Sequence, residues 1–216
     1  MAEERTRGID VSHYQGKIDW QTVAGTGISF AFIKATDGLA KIDPKFEVNW
    51  RRAQAVELRR GAYHFFHAQQ DSERQAQVFL AMLRKDHGEL PPVLDFETLD
   101  GASVDHALCG AKQWMEIVEN EIGKKPILYT GPAFWTTTMG SVEIFADHPL
   151  WIAHYTDSDH PNVPQPWRNW AFWQKSEKGL IAGIKGPVDL DIYVGTVMEL
   201  DASCERIHKK SAAIGS

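Results

Sequence analysis

Pro91-Pro92-Val93-Leu94-Asp95-Phe96-Glu97 is the stretch on which the reading of the whole chain turns. Val93, Leu94 and Phe96 make a short apolar run with a Pro-Pro stop before it and a polar segment after it, the pattern of a buried strand. A buried strand has no ordinary use for two acids. Alternate residues of a strand share a face, and the rise per residue sets Asp95 and Glu97 roughly 6.6 Å apart on it. Carboxyls that close raise each other's affinity for protons, so one of them tends to stay protonated near neutrality. An acid that can give up a proton, beside an anion that can meet positive charge, is the equipment for breaking a glycosidic bond. The plain alternative is that both acids merely solvate an exposed strand end, so the flanking segments have to be read with them.

On either side lie further strands. Gly61 to His67 reads as the third and Pro126 to Thr130 as the fifth, with Val93 to Glu97 as the fourth. Ser72 and Gln75 form a capping-box pattern ahead of a helix whose buried face is Ala76, Phe79, Leu80 and Leu83. Ser103 is placed to cap the next helix, faced by Leu108, Ala111, Met115, Val118 and Ile122 and stopped at Gly123. Upstream, Gly8 to Val11 and Ile28 to Ala35 are the first two strands. Asp43 followed by Pro44 starts a helix carrying Phe46, Trp50 and Ala53. Strands alternating with helices imply parallel pairing.

The last third departs from this pattern. Leu150 to His154, Ala171 to Lys175 and Val188 to Ile192 read as strands, but the connections between them are rich in Pro, Gly and polar residues and lack helical periodicity. Parallel neighbours need a crossover and antiparallel ones do not, so some antiparallel pairing is expected here. Eight strands close a filled barrel. The expected fold is an α/β, TIM-like eight-stranded β/α barrel, irregular, with crossover helices missing among the last three strands. It forms a single domain over 8–205, with an N-terminal extension at 1–7 and a C-terminal tail at 206–216.

The 216 residues are 43% hydrophobic, enough for a sizeable core, and the formal net charge of −6 argues against a nucleic-acid partner. No apolar run is long enough to span a bilayer, so no membrane partner is expected. Met1 to Arg7 is charged and does not read as a secretory signal. Cys109 and Cys204 either pair or remain free thiols. The nine histidines show no metal-ligand spacing, so no metal or other cofactor is expected. There is no Gly-x-Ser-x-Gly elbow and no phosphate loop.

In a barrel of this type chemistry sits at the C-terminal ends of the strands. That places Asp10, Asp95 and Glu97 at the mouth, with Tyr63 and Tyr129 on the lining strands. Asp189 and Asp191 share one face of the last strand, and one or the other can meet Asp10 once the barrel closes; an antiparallel last strand leaves open which of its ends faces the mouth. Aromatic rings stack on the apolar faces of sugars. Of the eight tryptophans, Trp151, Trp167, Trp170 and Trp173 cluster in the last third, and Trp173-Gln174 is the pair expected to face substrate.

Gly8-Ile9-Asp10-Val11-Ser12, Gln15-Gly16, Asp19-Trp20, Phe32-Ile33-Lys34-Ala35-Thr36-Asp37-Gly38, Gly61-Ala62-Tyr63-His64-Phe65, Leu94-Asp95-Phe96-Glu97, Leu128-Tyr129-Thr130, Leu150-Trp151-Ile152-Ala153-His154-Tyr155, Trp173-Gln174 and Val188-Asp189-Leu190-Asp191 occur in this order. Together they resemble glycoside hydrolase family 25, the Chalaropsis-type lysozymes, over nearly the whole chain. The resemblance implies an N-acetylmuramidase that hydrolyses the β-1,4 bond from N-acetylmuramic acid to N-acetylglucosamine in bacterial peptidoglycan, with retention. It makes Glu97 the proton donor, Asp95 the nucleophile or the stabiliser of an acetamido-derived intermediate, and Asp10 and Asp189 the other catalytic acids. Tyr63, Tyr129, Trp151, Trp173, Gln174 and Asp191 become substrate-binding residues. Two positions depart from the family's habit: Lys175 replaces an aromatic residue after Trp-Gln, and Asp191 is often Asn. A monomer acting on cell wall outside the cytoplasm is expected, whether secreted, periplasmic or phage-released. Two rivals stand beside this reading: a peptidoglycan- or chitin-binding barrel without turnover, and a glycosidase for chitin-like chains.

Overall fold

The computed structural model describes residues 5–204. Most of the N-terminal extension and the whole of the expected tail at 206–216 lie outside the described residues. Nine strands are formed: β1 (Thr6–Val11), β2 (Ile28–Asp37), β3 (Lys41–Ile42), β4 (Arg59–Phe65), β5 (Val93–Asp95), β6 (Ile127–Thr130), β7 (Leu150–Ala153), β8 (Phe172–Gly179) and β9 (Val188–Tyr193). Eight close into a barrel in the order β1, β2, β4, β5, β6, β7, β8, β9, and the two-residue β3 hangs on the edge of β2. The strand expected from Gly8 begins at Thr6, because Thr6 and Arg7 pair with Tyr193 and Ile192.

Every barrel strand runs parallel to its neighbours except β9, which is antiparallel to both β8 and β1. Within the barrel, antiparallel pairing is therefore confined to the final strand; outside it, β3 is antiparallel to β2. Four helices fill the first crossovers: α1 (Trp20–Ala24), α2 (Phe46–Ala55), α3 (Ser72–Leu83) and α4 (Val104–Ile122). Between β6 and β7 there is only a π-helical turn, Phe134–Thr138. Beside β1, β8 and β9 lies a cavity of about 500 Å³ bordered by Tyr155, Lys175, Leu190 and Ile192.

Local sequence explains most helix ends. Ser103 caps α4 by accepting the His106 N–H, and Gly123 ends it in the left-handed conformation, φ 72°. Two expectations are corrected. The Ser72 capping box does not form: Asp71 caps α3, while Ser72 Oγ donates to Gln113 and Gln75 is drawn away to His64 and His67. Asp43 does not open α2 directly. Its carboxylate accepts from Lys45 N and twice from His13, and the helix begins at Phe46. In each case a tertiary partner outbids the local cap.

Alternation along the strands separates two cores. Ala31, Ile33 and Ala35 point out to the helices; Phe30 and Phe32 point into the barrel with Val93, Ile127, Tyr129, Trp151 and Phe172. Inside, Phe32 stacks on Trp151 at 4.3 Å and meets Phe172 edge-on at 5.0 Å. Room for these rings comes from glycine: a Cβ at Gly8 would lie 2.3 Å from Phe30, and one at Gly61 2.5 Å from Phe32. The far pole is plugged by a helical segment over 197–204 through Leu200 and Cys204. Cys109 is exposed on α4 and Cys204 is buried at that pole; both are free thiols. The aromatic plug forms a dry floor, and the chemistry-bearing groups stand above it.

Candidate active site

The strand β5 carries Asp95 at its end and the chain leaves it at Phe96, so Glu97 lies just beyond the strand rather than in it. Phe96 is fully buried against Phe66 at 5.5 Å and Phe134 at 5.4 Å on the helical side. The residues flanking it therefore face the mouth, Asp95 deep at 7% exposure and Glu97 at the solvent-open rim. Burial, then the charge of Glu97, pushes the Asp95 carboxyl well above the usual range. Crowding at the mouth raises Glu97 too, opposed by the Lys34 cation. Burial makes the deeper acid the costlier one to ionise, and the two bind a proton as a pair.

Across the mouth, β9 runs backwards and so brings its first half to the acid end of the barrel. Asp189 stands opposite Asp10 in register, and Asp191 lies one pleat deeper, opposite Gly8 and Gln174. Asp10 is 5% exposed and Asp191 1%. Burial first, then Asp189, raises Asp10; burial and Glu177 push Asp189 up to about 6.

Gln174 ties this side together. Its Oε1 accepts the hydroxyls of Tyr129 at 2.9 Å and Tyr155 at 2.8 Å, which fixes its amide so that Nε2 donates to Asp10 Oδ2 at 2.7 Å. Burial, with Asp95 and Glu97 nearby, raises Tyr129; burial, with Asp10 and Asp95 nearby, raises Tyr63, so both phenols keep their protons.

Of the residues expected at the site, Glu97, Asp95, Asp10, Asp189, Tyr63, Tyr129 and Gln174 converge on the mouth. Trp151 and Asp191 lie beneath it: Trp151, 2% exposed, donates its indole N–H to Asp191 Oδ1 at 2.9 Å, so these two shape the floor. Trp173 is turned away. It is fully buried in the outer core, and its N–H donates to the His154 carbonyl at 2.8 Å. Consecutive strand residues face opposite ways, so Trp173 and Gln174 could not both meet a substrate. Trp167 belongs to the same outer core.

Sequence reasoning passed over Lys34 and Tyr155 as site residues. Lys34 shares the inward face of β2 with Phe32 and pairs in register with Tyr63; its ammonium donates to Asp37 at 2.8 Å. The signal was present: Lys34 is the one charge in the mostly apolar run from Ile28 to Ala35. Asp37 is also held by His67 at 2.9 Å, and His67 reaches Asp100 at 2.9 Å. His64, three residues away, faces the other way into the helical layer, where burial depresses its pKa to about 3 and Thr36 and Gln75 satisfy its nitrogens. Among the described residues no cluster of His, Cys, Asp or Glu has the arrangement to hold a metal ion.

A β/α barrel with paired carboxyls at the C-terminal mouth, further acids opposite and tyrosine hydroxyls between them is an arrangement compatible with a glycoside hydrolase. The family model "Glycosyl hydrolases family 25" matches residues 9–184, and the chain belongs to that family. It is 41% identical to "Uncharacterized protein YegX" of Escherichia coli (strain K12), covering 93% of this chain and 74% of that protein. It is 34% identical to "Lysozyme M1" of Streptomyces globisporus, covering 90% and 69%. The bacterial lysozyme from Streptomyces coelicolor superposes with a TM-score of 0.86 at 32% identity, covering 94% of this chain and 98% of that structure.

Proposed function

We propose that the protein is a lysozyme that hydrolyses the β-1,4 bond between N-acetylmuramic acid and N-acetylglucosamine in the glycan strands of bacterial peptidoglycan, with retention. It acts as a monomer on cell wall outside the cytoplasm. The observation that carries the reading is the graded acid pair: Asp95 buried below, Glu97 open above, both raised, on one side of the mouth. Relatives named lysozyme and N,O-diacetylmuramidase support the substrate class.

The burial gradient supports a division of roles. Glu97 is the carboxyl that can reach a glycosidic oxygen lying in the mouth, so the shared proton leaves from Glu97. Asp95 stays beneath the sugar as an anion and meets the oxocarbenium charge directly or through the 2-acetamido group. Glu97, now ionised, takes a proton from water in the second step. Lys34 offsets the negative charge left on the pair. Asp10, held by Gln174, and Asp189 line the opposite wall, where they can accept from sugar hydroxyl or amide groups. The deciding experiment is mass spectrometry of fragments released from a defined peptidoglycan. New reducing ends at muramic acid support the assignment. Cleavage of chitooligosaccharide alone, or binding without release, overturns it.

A further inference from the structure

We propose that Asp191 is a protonated, neutral residue in the working protein and that its carboxylic O–H donates to Asp10, making it a positioning residue beneath the catalytic mouth. The functional half of this statement rests on the reading of the mouth as a glycan-cleaving site; the protonation half does not.

Asp191 lies within the barrel at 1% exposure, on the inward face of β9. Its register partner on β1 is Gly8, over which the Phe30 ring packs, so β1 sets no side chain directly against the Asp191 carboxyl at that position. One oxygen, Oδ1, accepts the Trp151 N–H at 2.9 Å. An indole nitrogen can only donate, which fixes Oδ1 as an acceptor. The other oxygen, Oδ2, is buried and meets no donor from the protein. A carboxylate left in that condition carries a large desolvation cost.

The neighbour within hydrogen-bond reach is another carboxyl, that of Asp10. Two ionised carboxylates cannot bond to each other, so one proton must lie between them. Asp10 Oδ2 already receives Gln174 Nε2, and that amide cannot flip, because two tyrosine hydroxyls hold its oxygen. Asp10 Oδ2 is thereby fixed as an acceptor, and Asp10 stands nearer the mouth, where Asp189 is a second carboxyl within hydrogen-bond reach. Asp191 is deeper and has a single neutral donor. The proton belongs on Asp191 Oδ2. Burial, then Asp10 and then Asp189 all raise the Asp191 carboxyl, in agreement with this geometry. The groups facing it from the packed elements are Asp10 from β1, Asp189 from β9, Trp151 from β7 and Gln174 from β8. None of these is a cation.

A neutral donor under Asp10 orients its carboxyl and steadies its negative charge at the mouth. Asparagine reproduces both contacts, with its oxygen toward Trp151 and its NH₂ toward Asp10. Leucine reproduces neither. Infrared difference spectra of wild type against Asp191→Asn at neutral pH test the proton directly. The expected result is the loss of one neutral-carboxylic-acid C=O stretch with the carboxylate bands unchanged. Loss of a carboxylate band instead overturns the proposal.

The pH profile of cell-wall cleavage tests the positioning role. Without the donated bond Asp10 binds its proton more tightly, so the acid limb of Asp191→Leu moves up by about one pH unit. The Asn variant keeps the wild-type limb and cleaves at least about tenfold faster than the Leu variant. Equal acid limbs in the two variants refute the positioning role. Should Asp191→Leu fail to fold, the Asn variant's limb decides instead, a shift from wild type counting against the proposal. If the wild type releases no muramic-acid ends, the functional reading fails while the infrared result still reports the proton.

Discussion

The two walls of the mouth come from halves of the barrel that are built differently. From β2 to β7 the barrel strands all run one way, and three helices, α2, α3 and α4, cover the crossovers as far as β6. This half supplies Asp95 and Glu97 from a three-residue strand whose neighbours hold it on both sides. The other half consists of β8, β9 and β1, with β9 reversed and no helix in the connections into β8 and β9. It supplies Asp10, Asp189 and Asp191. A parallel strand offers the mouth only its C-terminal end. A reversed strand entering from the mouth offers its first residues, and the pleat then carries the same face downward. One half therefore ends in a single pair, Glu97 at the rim with Asp95 below it, while the other carries a row of carboxyls inward along a reversed strand. Proton donation to a substrate needs the first arrangement. Fixing an acid from beneath needs the second.

The sharpest way to break this division of labour is to replace Glu97. Glu97→Gln is expected to lower turnover on cell-wall suspensions by about 10³–10⁴-fold with the circular dichroism spectrum unchanged. Turnover near wild type would show that the rim carboxyl is not the acid. Next comes Trp173, which the sequence assigned to substrate and the structure assigns to the outer core. Trp173→Ala should lower unfolding stability by about 3–4 kcal/mol in urea titrations, the cost of an emptied indole site. A fall in substrate affinity at unchanged stability would restore the sequence-based assignment.

Removing the charge on the opposite wall should cost less than removing the acid. Asp10→Asn loses a charge-assisted bond with Gln174, for which a drop of about 10–100-fold in kcat/KM is expected, read by dye release from labelled peptidoglycan. The smallest effect is on stability against pH. Asp189 binds its proton more tightly folded, at about 6, than unfolded, at about 3.9. Its stabilising contribution is complete below the unfolded value and is lost as pH rises through the folded one. Between those limits the wild type should lose about 1–2 kcal/mol relative to Asp189→Asn in urea melts. Parallel curves for the two proteins would place Asp189 in water rather than against the acid wall.

Much of this was legible in the chain. Strand and helix alternation to residue 130, the acid pair around Phe96, and the loss of helices afterwards all follow from hydrophobic period and turn residues, which act locally. Lys34 was legible and overlooked. The Ser72 cap and the Trp173 contact were misread for the same reason: each pattern was compatible with a local role, and a distant partner claimed the residue. Gln75 went to His64 and His67, and the Trp173 indole went to the carbonyl of His154.

The sequence by itself determined that eight strands would close, that Asp95 and Glu97 would share a face, and which family the chain resembles, because strand period and motif order are properties of neighbouring residues. Tertiary structure alone decided which end of β9 meets the mouth, that Gln174 is locked by two tyrosines, and how deep each carboxyl lies. Depth sets the cost of ionising an acid, and depth arises only when strands far apart in the chain are brought side by side.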